Sequence, residues 1–234
     1  MPEAPGPATG FLEVPMLELY ALAVGPLAWL AFGVFVIGSL ARLFSMYSLA
    51  KKKDAAFLSY MTWRYSLRSI FHWLIPFGSL GWRENPALTV VTYVFHICLF
   101  LVPIFLMSHI VMWDTSFGFT YAALPDGLAD GLTVAVMVAC LFFAWRRLSL
   151  PEVRFVTSTH DWVVLVLVFS TFSTGFLAYH QIGDSLTLTT LHVLCGEAML
   201  IAIPFTRLSH MLFGFFSRGY IGSEFGGVRR AKDW

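Results

Sequence analysis

Four histidines set inside apolar runs, His96, His109, His192 and His210, are the residues best suited to do chemistry in this chain. An imidazole in a membrane segment is costly enough to mark a functional position when a partner for it can be named. His192 and His210 bracket the run LHVLCGEAMLIAIPFTRLSH and stand eighteen residues apart. At roughly 3.6 residues per turn that is about five whole turns, so both rings project from one face of a continuous helix. At about 1.5 Å per residue they lie roughly 27 Å apart along the axis, close to the roughly 30 Å hydrocarbon thickness of a bilayer. One histidine near each membrane surface is the arrangement expected of a helix carrying two stacked redox centres.

The rest of the sequence must position these rings. Of 234 residues, 58% are hydrophobic and only 12% charged, against roughly 25% charged in a soluble domain, so an integral membrane protein is expected. A net charge of +1 gives no argument for a nucleic-acid partner, and none is expected. Cys98, Cys140 and Cys195 lie in apolar runs without a CxxC or CxxCH spacing. That disfavours zinc, a cysteine-held cluster and c-type haem, and leaves packing thiols. The N-terminus, MPEAPGPATGFLEVPMLELY, lacks the basic start of a secretory signal, so its first apolar run is expected to remain as a helix.

Five apolar spans are drawn within a single membrane domain covering residues 1–234: 17–47, 86–113, 128–145, 161–180 and 186–216. All fifteen Lys and Arg residues fall in or beside the stretches between spans one and two, between three and four, and after five. The N-terminal tail, the 114–127 loop and the 181–185 loop carry only acidic charge. The positive-inside rule therefore places the N-terminus outside, in the periplasm, and the C-terminus in the cytoplasm, which requires an odd number of spans. The fold expected is all-α with five transmembrane helices.

The cytoplasmic stretch 50–85 mixes Trp63, Phe71, Trp73, Leu74 and Trp82 with Arg64, Arg68 and Arg83. It reads as an interfacial amphipathic helix ending at Pro76 and Gly78, either floating in the headgroups or docking a cytoplasmic partner. Ser158 followed by Asp161 predicts a capping-box start for the fourth span, with His160 as a capping or interfacial residue. The tail 217–234, RGYIGSEFGGVRRAKDW after Ser217, reads as a docking strap for a cytoplasmic subunit, the alternative being an unstructured end.

With this orientation the levels match in pairs: His96 with His210 on the inner side, His109 with His192 on the outer. Facing imidazoles between helices are a ready axial pair for a haem iron. Ser170, Thr171, Ser173, Thr174 and Gly175 on the fourth span are small enough to let a flat macrocycle or a backbone approach. One feature resists a straight helix. His96 and His109 are thirteen residues apart, which at about 100° per residue leaves their rings roughly 140° apart. Pro103 between them is expected to kink or rewind the helix; otherwise Met107 is an outside candidate for the fourth ligand.

Quinone chemistry couples electrons to protons and wants a proton carrier beside a redox centre. Glu197 is the one acidic residue deep within a span, about one and a half turns inward from His192. Tyr179 and His180 end the fourth span on the same outer side. An outer quinone site served by Glu197, His180 and Tyr179 is one reading; Glu197 bonding only to a neighbouring helix is the other. His72 with Arg68 and Trp73 offers an inner pocket or an interfacial anchor.

The stretches WLIPFGSLGWRENPALTVVTYVFH, PEVRFVTSTHDW, GFLAYHQ, LHVLCGEAMLIAIPFTRLSH and GSEFGGVRRAKDW resemble the nitrate reductase gamma subunit family of five-helix cytochromes b. The closer likeness is to the cytochrome b subunits of the Tmc, Hmc and Dsr transmembrane redox complexes of sulfate-reducing bacteria. The resemblance implies two haem b groups, held by His96 and His210 and by His109 and His192, and electron exchange with a membrane quinone such as menaquinone. It also implies a cytoplasmic iron–sulfur subunit resembling heterodisulfide reductase and, in the Tmc and Hmc types, a periplasmic multihaem cytochrome c opposite. The chain would then be a respiratory electron-transfer subunit rather than a complete enzyme. Two other functions compete: a haem-free membrane anchor, and a proton- or ion-conducting subunit relaying through buried His and Glu197.

Overall fold

The computed structural model describes residues 9–54 and 56–233. The expected outside tail, residues 1–8, and the terminal Trp234 lie outside the described residues. Among the described residues every regular element is helical. Five helices, Val14–Lys53, Pro86–Phe105, Asp126–Ser149, Thr159–Tyr179 and Ser185–Phe205, are long and apolar enough to cross a membrane.

The first of these is α1 (Thr9–Leu22) and α2 (Ala28–Lys53), joined through a π turn at Ala23–Leu27. Gly25, at φ −104° and ψ −105°, leaves helical geometry directly before Pro26, whose ring removes a backbone donor and bends the ladder. The helix ends on Lys51, Lys52 and Lys53, where cations complement the C-terminal dipole. Short helices α3 (Phe57–Tyr60), α4 (Trp63–Leu74) and α5 (Leu80–Glu84) follow. Then come α6 (Pro86–Phe105), α7 (Met107–Phe117), α8 (Asp126–Ser149), α9 (Pro151–Val156), α10 (Thr159–Tyr179) and α11 (Ser185–Phe205). A 3₁₀ turn at Arg207–Ser209 leads to α12 (His210–Ser223) and a π turn at Glu224–Val228.

Two of the expected spans are interrupted. The stretch 86–113 breaks at Leu106, whose ψ of 132° is extended, three residues after Pro103. The stretch 186–216 breaks at Thr206, at φ −121° and ψ −173°, two residues after Pro204. His192 and His210 therefore do not share one unbroken helix, and their eighteen-residue spacing does not by itself put them on one face. In each case the proline has already removed one rung of the helical ladder.

By their contacts the residues form two compact units, Met1–Val34 with Ile97–Ile201, and Phe35–His96 with Ala202–Trp234. In the first, α8 packs on α10, with Ala129, Thr133, Val136 and Cys140 buried on the former and Val168, Thr171 and Phe172 on the latter. The expected capping box starts α10: the Ser158 backbone N–H donates to Asp161 Oδ2 at 2.8 Å. At the other end of α10, His180 Nε2 lies 3.0 Å from Asp130 Oδ1 of α8.

In the second unit the amphipathic α4 clamps α12. Ser66 Oγ donates to the Gly219 carbonyl at 2.9 Å and meets Ser223 Oγ at 2.8 Å, while Thr62 N donates to Ser223 Oγ at 3.1 Å. Gly219, Gly222 and Ser223 are buried because Ser66, Ser69 and Tyr65 stand against their backbone. The tail continues this clamp: Arg218 and Ser69 both reach the Asp233 carboxylate, the former at 2.9 Å. The strap expected to hold a partner is thus fastened to its own chain. The other face of α4 shows Trp63, 78% exposed, with Leu67, Phe71 and Leu74.

Candidate functional site

The histidines meet in the pairs expected from their levels. In the second unit the ring centroids of His96 and His210 are 5.9 Å apart with planes at 83°. In the first unit those of His109 and His192 are 6.0 Å apart with planes at 2°.

All four rings are oriented in the same way, by Nδ1 against a backbone carbonyl. His96 Nδ1 lies 2.7 Å from the Thr92 oxygen, and His210 Nδ1 2.8 Å from that of Arg207. His109 Nδ1 lies 2.9 Å from the Pro103 oxygen, and His192 Nδ1 2.8 Å from that of Thr171 on α10. A carbonyl only accepts, so Nδ1–H is the donor and Nε2 of the neutral ring presents its lone pair. Holding one ring nitrogen this way fixes the tautomer and raises the basicity of the other, the usual surroundings of a metal-bound imidazole.

The break at Leu106 accounts for His109. It frees three carbonyls at the end of α6, and each finds a partner: Pro103 takes His109 Nδ1, Ile104 takes the Tyr121 hydroxyl at 2.6 Å, and Phe105 takes the Leu124 amide at 2.9 Å. The roughly 140° mismatch holds only for a straight helix, and here the helix restarts before His109. Met107, the alternative ligand, is largely exposed. Thr206 plays the matching part before His210: its hydroxyl accepts the Leu208 amide at 3.2 Å and starts the 3₁₀ turn whose Arg207 carbonyl meets the ring. Each pair therefore joins one mid-helix histidine, His96 or His192, to one set just past a break.

Gly175 on α10 makes room for the His192 ring. A Cβ there would stand 2.7 Å from Cε1 and 2.8 Å from Nδ1 of the ring, so only glycine admits the imidazole against α10. The small-residue run on this helix thus does serve a close approach, by a side chain.

Glu197 is 6% exposed, and neither carboxylate oxygen has a hydrogen-bond partner. Among the described residues no neighbouring helix bonds it. His180 is bonded to Asp130, and Asp126 stands near the Tyr179 hydroxyl. His72 Nδ1 meets the Arg68 carbonyl at 3.0 Å within α4. The cysteines are free, and among the described residues no three His, Cys, Asp or Glu side chains gather as a metal-ion cluster. The carbonyl partners were not foreseen; Pro103 and Pro204, both inside apolar runs, were the available signal for two of them.

No known family description matches the chain, and no solved structure matches it. A protein of Nitratidesulfovibrio vulgaris is similar to it, 39% identical over 211 residues that cover 88% of this chain and 93% of the relative. At that identity and coverage, the chain belongs to the same protein family as this Nitratidesulfovibrio vulgaris protein.

Proposed function

We propose that the chain is a dihaem b membrane subunit that passes electrons between a membrane quinone and partner redox subunits. The observation that carries this reading is the common state of the four histidines: Nδ1 tied to a carbonyl, Nε2 presented, and two rings about one metal's width apart. Two imidazoles bound end-on to opposite sides of one metal ion, each at about 2 Å, have centroids roughly 6 Å apart. The separations of 5.9 Å and 6.0 Å fit that requirement. A haem iron needs only two ligands from the protein, because the macrocycle supplies the other four, so pairs rather than clusters suit it.

When bound, the two haems supply reversible one-electron chemistry. The chain's own part would be to hold each haem through the Nε2 atoms of His96 and His210 or of His109 and His192, raise their basicity through the Nδ1–H bonds, and carry protons for the quinone. Glu197 is the residue placed to hold a proton at its carboxyl inside the span, with Tyr179 and His180 towards the helix end. The charge asymmetry of the loops supports an inner-membrane protein with the His96–His210 haem towards the cytoplasm and the His109–His192 haem towards the periplasm. The partners would be a cytoplasmic iron–sulfur subunit resembling heterodisulfide reductase and a periplasmic multihaem cytochrome c. The exposed ridge of α4 suits the cytoplasmic headgroup layer.

Haem content and a reduced-minus-oxidised spectrum of the purified chain test this reading. Two low-spin b haems per chain are expected, with one lost on His192→Ala and the other on His210→Ala. Glu197→Gln is expected to slow quinone turnover while leaving both haems in place. Well-folded protein without iron would overturn the proposal in favour of a haem-free anchor.

A further inference from the structure

In the unit that holds His96 and His210, the buried Ser39 Oγ and Trp82 Nε1 lack hydrogen-bond partners, and the exposed guanidinium of Arg42 stands one turn from Ser39. The hydroxyl of Ser39 on α2 is buried, at 7% exposure of the residue, and Oγ has no hydrogen-bond partner. This is unusual within the chain. Thr133, Thr171 and Thr190 each turn their hydroxyl back to the carbonyl four residues earlier, at 2.8, 2.9 and 2.7 Å. The same relief is open to any helical serine, and Ser39 does not take it.

Arg42 lies three residues further on, beside Ser39 on the helix surface. Its Cζ stands 5.7 Å from the Phe213 ring centroid, and Phe213 is one turn past His210 on α12. Arg42 is an exposed cation eleven residues before the end of a candidate span, where lipid rather than water would surround it, and among the described residues no carboxylate pairs with it. The backbone of α2 is pressed close here: a Cβ on Gly38 would stand 3.0 Å from both Phe205 Cζ and Pro204 Cγ. On the other ligand's helix, Trp82 packs on Tyr93 at 5.5 Å, one turn before His96, and its buried Nε1–H also lacks an acceptor.

All three groups donate, and the residues that carry them pack within one turn of a ligand or beside one that does. The ligand they suit presents anionic oxygens at the edge of a flat apolar body. We propose that the Ser39 hydroxyl and the Arg42 guanidinium bind the propionate carboxylates of the haem held by His96 and His210, with Trp82 Nε1 as a further donor. This rests on the dihaem reading. The guanidinium fork suits a carboxylate, and a charge-assisted pair inside a membrane is stronger than one in water. Arg42 is then a positioning and potential-setting residue.

The test is a spectroelectrochemical titration of the full chain in lipid nanodiscs, comparing wild type with Arg42→Gln, Arg42→Lys and Ser39→Ala. A His210→Ala sample identifies which haem is which. Arg42 disfavours the extra positive charge of the oxidised iron, so Arg42→Gln is expected to lower the midpoint potential of the His96–His210 haem and leave the other unmoved. Its transfer to an apo-haemoprotein acceptor should quicken roughly tenfold, the loss of about one charge-assisted hydrogen bond. Arg42→Lys should retain most of the potential, and Ser39→Ala should shift it less, in the same direction. The haem on His109 and His192 serves as the folding control in every sample. Superimposable titrations for wild type and Arg42→Gln would overturn the inference while leaving the dihaem reading intact. A shift seen only with anionic lipids would assign Arg42 to a lipid phosphate and overturn it too. Wild-type protein without haem would defeat the dihaem reading itself, and this inference with it.

Discussion

His109 and His192 face each other with ring planes 2° from parallel and centroids 6.0 Å apart, whereas His96 and His210 meet at 83° over 5.9 Å. On the dihaem reading this difference has a spectroscopic consequence. Parallel axial imidazoles act on the same iron orbital and give a rhombic low-spin signal. Perpendicular ones leave the orbitals nearly degenerate and give a single feature at much larger g. Electron paramagnetic resonance of the oxidised protein should show both, the rhombic signal vanishing in His192→Ala and the large-g feature in His210→Ala. Two identical signals would count against the observed ring orientations.

Gly175 gives a steric test of the same site. Valine there would place Cβ within 2.8 Å of two His192 ring atoms. It should push the imidazole off the Thr171 carbonyl, remove about half of the haem absorbance and cost about 1–3 kcal/mol of stability. Alanine should act in the same direction and less strongly. The absorbance spectrum with a thermal melt reads both effects, and a Gly175→Val protein with its full haem complement would show that His192 does not depend on this approach.

Outside the spans, the Asp54 carboxylate takes the Tyr60 hydroxyl at 2.7 Å and the Tyr220 hydroxyl at 2.9 Å, fixing the end of α12 beside the end of α2. The Tyr60 hydrogen bond, then that of Tyr220, holds Asp54 below its ordinary 3.8. The Tyr220 hydroxyl, then Asp54, pushes the Tyr60 phenol above its ordinary 10.0. The lowered carboxyl gives stability that is present above its unfolded pKa and lost as pH falls through its folded one. The raised phenol gives stability that is present below its unfolded pKa and lost as pH rises through its folded one. Hydrogen exchange at the end of α12 should therefore be slow and nearly pH-independent, after correction for intrinsic rates, from about pH 5 to 9. It should quicken beyond both limits, and Tyr60→Phe should remove the share of the alkaline limb that Tyr60 supplies.

The tail clamp can also be broken by one methyl group. A Cβ on Gly222 would press on Ser69 Cβ and lie 2.7 Å from the Tyr65 carbonyl oxygen. Gly222→Ala gains about 1 kcal/mol in helix propensity, yet overpacking at a seam this tight costs about 1–3 kcal/mol. Net loss is expected, seen as faster tryptic cleavage at Arg229 and Arg230 under native conditions. Unchanged cleavage would mean that the seam opens at little cost.

The membrane made much of this legible in advance. Ionisable side chains are so rare in an apolar span that four histidines and Glu197 stood out without any structure, and the loop charges suggested which of them to pair. The Ser158–Asp161 cap was readable because it is local. The partners of the imidazoles were not, because any residue offers a carbonyl and only the backbone path decides which is free. Pro103 was recognisable as a kink, but the break falls at Leu106; Pro204 passed as part of an apolar run, and the break at Thr206 with it. The tail read as a docking strap for a partner because Gly219, Gly222 and Gly226 acquire their meaning only beside Ser66, Ser69 and Tyr65, some 150 residues earlier in the chain.

The breaks at Leu106 and Thr206 also have a mechanical consequence. A rigid rod that tilts to match a thinner or thicker bilayer swings every side chain it carries. His210 rides on a segment that begins after a break and is tied to the Arg207 carbonyl on its own side of it, whereas His109 is tied back across its break to Pro103 at the end of α6. The His210 imidazole is thus mounted on a gimbal that the long helix before it can lean against, while the His109 ring moves with the helix whose carbonyl holds it.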